Sequence, residues 1–289
     1  MADFSPADAA FEGFRLTREH PAVIPVWAVF GGLASTAYLW ALLSSGYLQT
    51  LMALQAEGGA LDPAAMAPAT EVLMGRMLLV APLALFISAL IETAIARMVL
   101  RRHERSLGYI RLGSDELRVF AARLLVTFGI GAYCLAGLMV MSLLTLGGVA
   151  AALLLLPVML AFIAGLAALL VRLSLTTAAT FASGKIGIRA SWELTKGRFW
   201  QLFSAYGVAI ALYLVVIIAG ALIGQVVVMA FGPVTDMTTV ESFAAAMSPG
   251  QIVNIVIGAI FGALGMAILH APAPVIYRSL THGEAASAF

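Results

Sequence analysis

The sequence predicts an all-α polytopic membrane protein with six transmembrane helices and short amphipathic helices at the membrane surface. Three observations carry this reading. Of 289 residues, 62% are apolar and 11% are charged, against about 45–50% and about 25% in soluble domains. Charged residues are also absent from five long stretches, 20–56, 77–91, 124–171, 199–235 and 242–277. Finally, the basic residues segregate by segment in the manner that fixes membrane orientation. A single membrane domain over residues 1–289 follows.

Each element has its own justification. Ser5-Pro6-Ala7-Asp8 opens a helix, with Ser as cap, Pro in the first turn and Asp at the positive end. That helix, residues 5–19, sets Phe11 and Phe14 against Arg15 and Arg18, the pattern of a helix lying in the inner leaflet. The first span covers about residues 22–45. The 77–91 stretch is too short to cross about 30 Å of hydrocarbon, so the second span runs over about 72–99 and includes Arg76 and Glu92. Ser114-Asp115-Glu116 caps the third span. At 1.5 Å per residue the 124–171 stretch would make one helix of about 72 Å, so it folds as a hairpin at Thr145-Leu-Gly-Gly148. This divides it into spans over about 118–144 and 149–172. A surface helix at 187–196, with Gly197 as its cap, precedes spans over about 200–231 and 252–277.

Orientation follows from Lys and Arg. With the N-terminus inside, fifteen of the sixteen basic residues are cytoplasmic, while the external segments 46–71 and 232–251 carry Glu57, Asp62, Glu71, Asp236 and Glu241 and no basic residue. Only Arg76 breaks the pattern. The first residues carry Asp3, Asp8 and Glu12 in place of a basic leader, so no cleavable signal is expected.

At the 187–196 helix, Ile188, Trp192, Phe199 and Trp200 supply apolar anchors, with Arg189, Lys196 and Arg198 toward lipid phosphates. The segment reads either as an aromatic-and-basic belt that sets span depth or as a specific anionic-lipid site. Phe14-Arg-Leu-Thr-Arg18 matches Trp192-Glu-Leu-Thr-Lys196 in type, and Ala64-Ala-Met-Ala-Pro68 matches Ala245-Ala-Met-Ser-Pro249. The offsets are nearly equal. Two readings stand: chance matches in an apolar composition, or a parallel duplication of a helix-span-span unit over about 5–100 and 187–281.

Tyr109-Ile-Arg-Leu-Gly-Ser-Asp-Glu-Leu-Arg118 and Arg189-Ala-Ser-Trp-Glu-Leu-Thr-Lys-Gly-Arg-Phe-Trp200 resemble uncharacterised bacterial inner-membrane proteins related to the membrane domain of glycerophosphoryl diester phosphodiesterases. The resemblance implies a six-span protein of the bacterial inner membrane with both termini cytoplasmic. It implies no activity, because phosphodiester chemistry in that group belongs to a separate soluble domain.

Chemistry is sparse. One cysteine, Cys134, excludes an internal disulfide, and His20, His103, His270 and His282 are scattered. The chain shows no metal motif, no phosphate loop and no catalytic set. No cofactor or metal is expected, and a net charge of +1 argues against nucleic acid. The intramembrane ionisable groups are the candidates. Glu92 lies about 10 Å inside the second span, on a stripe with Ser88, Ala89, Thr93 and Ala96. Arg123 and Arg172 lie at similar depth, and Arg172 is the preferred partner because it continues the small-residue stripe Ala164, Ala168. Three readings stand for Glu92: a structural ion pair, a polar site for substrate or proton, or a snorkelling carboxylate. His270, just before Pro272 and Pro274, reads either as bonding the carbonyls those prolines leave free or as a protonatable ligand. Gly220-xxx-Gly224 and Gly258-xxx-Gly262 read as packing of the fifth span on the sixth, or as a homodimer contact.

The expected function is non-enzymatic: handling a lipid or other amphiphile, or moving a small solute. The alternatives are an accessory subunit that binds another membrane protein and, last, a membrane-embedded enzyme. Membrane lipids are the expected partners, with homo-oligomers or a second membrane protein beside them.

Overall fold

A computed structural model describes residues 4–56, 63–104, 106–148, 151, 153–231 and 243–286. Among these residues all regular structure is helical. Six helical segments are long and apolar enough to cross a membrane: Val23–Ser44, Pro63–Leu100, Ser114–Leu146, Leu155–Ser183, Phe199–Phe231 and Pro249–Thr281. They are called the first to sixth spans below. The all-α, six-span architecture is as the sequence predicts, and Glu57, Asp62, Asp236 and Glu241 of the expected external segments lie outside the described residues.

The boundaries differ where local chemistry decides them. Among the described residues the second span is helical from Pro63, nine residues before the predicted start. The third span ends at Leu146 with Gly147 as its cap, and Gly148 takes φ +75°, a conformation open to glycine. The fourth span resumes as Leu155–Leu173 and continues into a second helix, Thr176–Ser183. The sequence reading ends that span at about 172 and names no helix at 176–183, where Thr176, Ala178, Ala179, Thr180 and Phe181 are all buried. The sixth span breaks at Ala271 and restarts at Pro272, using Pro as a first helical residue. Gly113, not Ser114, caps the third span, with no side-chain bond. Asp115 and Glu116 are engaged elsewhere.

Two compact units form. The first comprises residues up to Gly13, Glu92–Ile210 and Leu269 onward; the second comprises Phe14–Ile91 and Ala211–Ile268. In the first unit a core of Val171, Leu175, Ala178, Leu202, Ala205, Ile276 and Leu280 joins the fourth, fifth and sixth spans. In the second unit, Leu43 and Ala246 pack with Leu39, Leu48, Phe243 and Met247. There Gly220 lies so close to Phe261 that an added Cβ would meet its Cγ at 2.5 Å, and at Gly224 a Cβ would meet Asn254 Oδ1 at 3.0 Å. The first glycine pair thus packs within the chain, whereas a Cβ at Gly258 or Gly262 would meet nothing within 4 Å. The odd basic residue, Arg76, stands over the Trp40 ring at 5.4 Å.

The order helix, span, short helix, span occurs twice. It runs Pro6–Glu19, Val23–Ser44, Tyr47–Ala56, Pro63–Leu100, then Ile188–Leu194, Phe199–Phe231, Phe243–Ala246, Pro249–His270.

Candidate functional site

The small-residue stripe of the second span places Glu92 in the first unit. Ala89 and Thr93 are fully buried and Ala96 nearly so, so a neighbouring helix can approach and the carboxylate meets protein. Arg123, from the third span, pairs its Nη1 with Glu92 Oε1. His270, the last residue before the break in the sixth span, brings Nδ1 to 3.2 Å from the same oxygen. Three spans therefore converge on one carboxylate. Arg123 Nε has no acceptor and Glu92 Oε2 has no donor, so the cluster keeps unused hydrogen-bonding capacity.

A cavity of about 530 Å³ adjoins the cluster. Besides Glu92, Arg123 and His270, its polar lining comes from Thr127, Ser174, Thr176, Thr177 and Tyr206. The Tyr206 hydroxyl donates to the Ser174 carbonyl at 3.3 Å, whereas the buried Thr176 hydroxyl has no partner. The remaining wall is apolar and includes Val126, Ile130, Leu170, Phe203 and Ile210. A small hollow of about 310 Å³ beside Tyr133, Gly137 and Phe162 has no charged group, and the Tyr133 hydroxyl there already donates to the Phe162 carbonyl at 3.0 Å.

The structure brings together three of the four predicted intramembrane residues. Arg172, the preferred partner of Glu92 from sequence, is the exception. It stands 5.5 Å over the Trp192 ring and directs Nη1 to the Trp192 carbonyl at 3.4 Å. The reason is local: the Ser191 hydroxyl donates to the Arg172 carbonyl at 2.7 Å and accepts from the Leu175 N–H at 3.2 Å, which seats the Ile188–Leu194 helix beside Arg172. His270 also departs from expectation. Its Nδ1 faces Glu92, and the proline effect is met by ending one helix and starting another.

The sequence reading missed a second ion cluster. Arg97, 2% exposed, donates to Glu116 Oε1 at 2.5 Å and to the Tyr109 carbonyl at 2.6 Å. Arg101 donates to Asp115 at 2.9 Å and to the Phe181 carbonyl at 3.2 Å, with its guanidinium 4.4 Å over the Phe181 ring. These contacts clasp the second span to the third and to the Thr176–Ser183 helix. Two arginines four apart followed by an adjacent acidic pair was the available signal, but it looked like ordinary inside charge and capping.

The surface residues divide. In the first helix the Asp8 N–H donates to the Ser5 hydroxyl at 3.3 Å, the expected cap. Its buried residues are Ala9, Ala10, Glu12, Gly13, Leu16 and Thr17, while Phe11 is exposed along with Arg15 and Arg18. The predicted sorting of Phe11 away from the arginines therefore does not hold, because small side chains take the close approach. Trp192, Trp200, Arg189 and Lys196 are exposed, and Arg198 donates to the Leu194 carbonyl at 3.1 Å. Arg189 donates to Glu193 at 2.9 Å, which holds its guanidinium above the ordinary range. Gly197 takes φ +78°, two residues beyond the Thr195 cap.

Among the described residues no three His, Cys, Asp or Glu side chains converge as a metal site. No family model, curated protein or solved structure matches the chain.

Proposed function

We propose that this protein binds a membrane amphiphile in the cavity beside Glu92, Arg123 and His270, and that lipid handling is its function. The carrying observation is one cavity with two chemistries in its lining: charged and hydroxyl groups, and a larger share of apolar side chains. Its volume lies within the range of about 300–1,000 Å³ common to ligand sites. A solute pathway would favour polar groups along its length, whereas most of the lining here is apolar, so an amphiphile fits better than a small polar solute. The bacterial inner membrane with both termini cytoplasmic is the setting that the arginine distribution and the family resemblance support.

Gly207 provides the test. It lines the cavity and an added Cβ there meets nothing within 4 Å. Gly207→Leu should therefore fold normally and fill the space. Native mass spectrometry of the chain extracted with its lipids should show a retained amphiphile in the wild type and at least about a fivefold lower occupancy in Gly207→Leu. Equal occupancy would remove the cavity from the function. Orientation is checked separately by replacing Cys134 and labelling single cysteines at Ala60 and Ser106, which should react from opposite sides.

A further inference from the structure

Resting on that reading, we infer that the amphiphile is anionic, and that its carboxylate or phosphate headgroup is taken by Arg123. Four observations point to the sign of the charge. First, the Glu92 side chain is 3% exposed, against 28% for Arg123 and 24% for His270. A ligand at this wall thus meets a guanidinium and an imidazole, while the carboxylate is almost wholly covered. Second, a guanidinium carries five N–H donors in a planar fork suited to carboxylate and phosphate. Glu92 takes Nη1, and Nε is left with no acceptor although buried. Third, the Thr176 hydroxyl, in a residue 1% exposed, lines the same cavity and has no partner. A buried polar group without a partner is costly, so a ligand that accepts a hydrogen bond relieves it. Fourth, the apolar wall of Ile130, Leu170, Phe203 and Ile210 suits an alkyl chain attached to that headgroup.

Glu92 Oε2 also lacks a donor, which raises the opposite case of a cationic ligand. An ammonium reaches that oxygen only by displacing Arg123, because the carboxylate is covered. An anion needs no displacement of the pair, since 28% of the Arg123 side chain is exposed against 3% of Glu92. Glu92 then serves as the resident counter-ion that keeps Arg123 compensated when the cavity holds no ligand.

The full chain in dodecyl maltoside micelles, titrated while its tryptophan fluorescence is followed, separates the outcomes. The probes are oleate, oleyl alcohol, dodecyltrimethylammonium and inorganic phosphate. Oleate should bind at least about tenfold tighter than oleyl alcohol, as a charge-assisted bond implies. Dodecyltrimethylammonium should bind no better than the alcohol, and phosphate alone, lacking the alkyl chain, should bind far more weakly than oleate. In the charge-neutral double variant Glu92→Gln with Arg123→Gln, oleate should fall to the level of the alcohol, whose own affinity should hold. Arg123→Lys, which keeps the charge and loses the fork, should give an intermediate preference. Equal affinity of oleate and oleyl alcohol for the wild type would overturn the anion assignment and leave the amphiphile cavity standing, and so would a preference for the cation. An oleate preference that survives in the double variant would remove Arg123 from the site. Phosphate binding as tightly as oleate would show a soluble anion as the ligand. Binding by none of the amphiphiles would bring down the functional reading itself.

Discussion

Glu92 and Arg97 lie five residues apart on one helix, both buried and both ion-paired, yet their surroundings differ. Arg97 is closed on all sides: a carboxylate, a main-chain carbonyl and Glu104 at 3.5 Å surround its guanidinium, and its partner Glu116 is 3% exposed. Glu92 has a partner that reaches a cavity, with a guanidinium nitrogen and a threonine hydroxyl left unbonded. The first arrangement turns its guanidinium wholly toward protein, and even Nε, which makes no hydrogen bond, has the Glu104 carboxylate at 3.5 Å. The second has its unbonded groups beside a cavity. Burial of a charged residue therefore does not by itself separate a structural pair from a binding site; unused capacity beside open space does.

The largest expected effect lies in the closed cluster. Glu116→Gln removes the charge opposite Arg97, and losing one partner of a buried pair costs about 3–5 kcal/mol. Denaturation in mixed micelles should show a loss of that size relative to wild type both without and with added oleate, because the Arg97 cluster borders no cavity that the ligand uses and oleate stabilises both proteins equally. A difference from wild type that shrinks when oleate is added would erase the contrast between the two clusters.

Glu92→Gln should cost less, about 1–2 kcal/mol, because Arg123 keeps access to the cavity and is not left wholly buried. Adding Arg123→Gln should recover part of that loss. The same measurement should show a coupling energy of at least about 0.5 kcal/mol between the two positions. A loss in Glu92→Gln as large as that in Glu116→Gln would make both pairs structural.

Much of this was legible in the sequence for a physical reason. Charges inside hydrocarbon are costly, so the gaps between them mark the spans, and the single carboxylate left within one, Glu92, stands out. What was not legible is which distant helix faces it. Depth put Arg172 and Arg123 on equal terms and the small-residue stripe favoured Arg172, but the outcome turned on the Ile188–Leu194 helix, whose Ser191 captures the end of the fourth span. Arg97 was hidden for the opposite reason. At a membrane boundary an arginine needs no partner, so nothing in the sequence marked it as enclosed. The cavity is a property of three-dimensional packing and has no sequence signature beyond its scattered hydroxyls.

Arg172 gives the smallest effect and the sharpest check on partner choice. Its contacts are the ring and carbonyl of Trp192, which is 48% exposed. A cation–π contact in an exposed setting contributes about 0.5–1 kcal/mol, so Arg172→Gln should lose no more than about 1 kcal/mol of stability. Coupling tells the partners apart. Arg172→Gln combined with Trp192→Leu should be clearly less than additive, since both changes remove the same contact. Combined with Glu92→Gln it should be additive within about 0.5 kcal/mol, as expected of residues without shared partners. Coupling of Arg172 to Glu92 above that level would restore the pairing that small-residue spacing suggests, and would transfer the ligand-facing charge from the third span to the fourth.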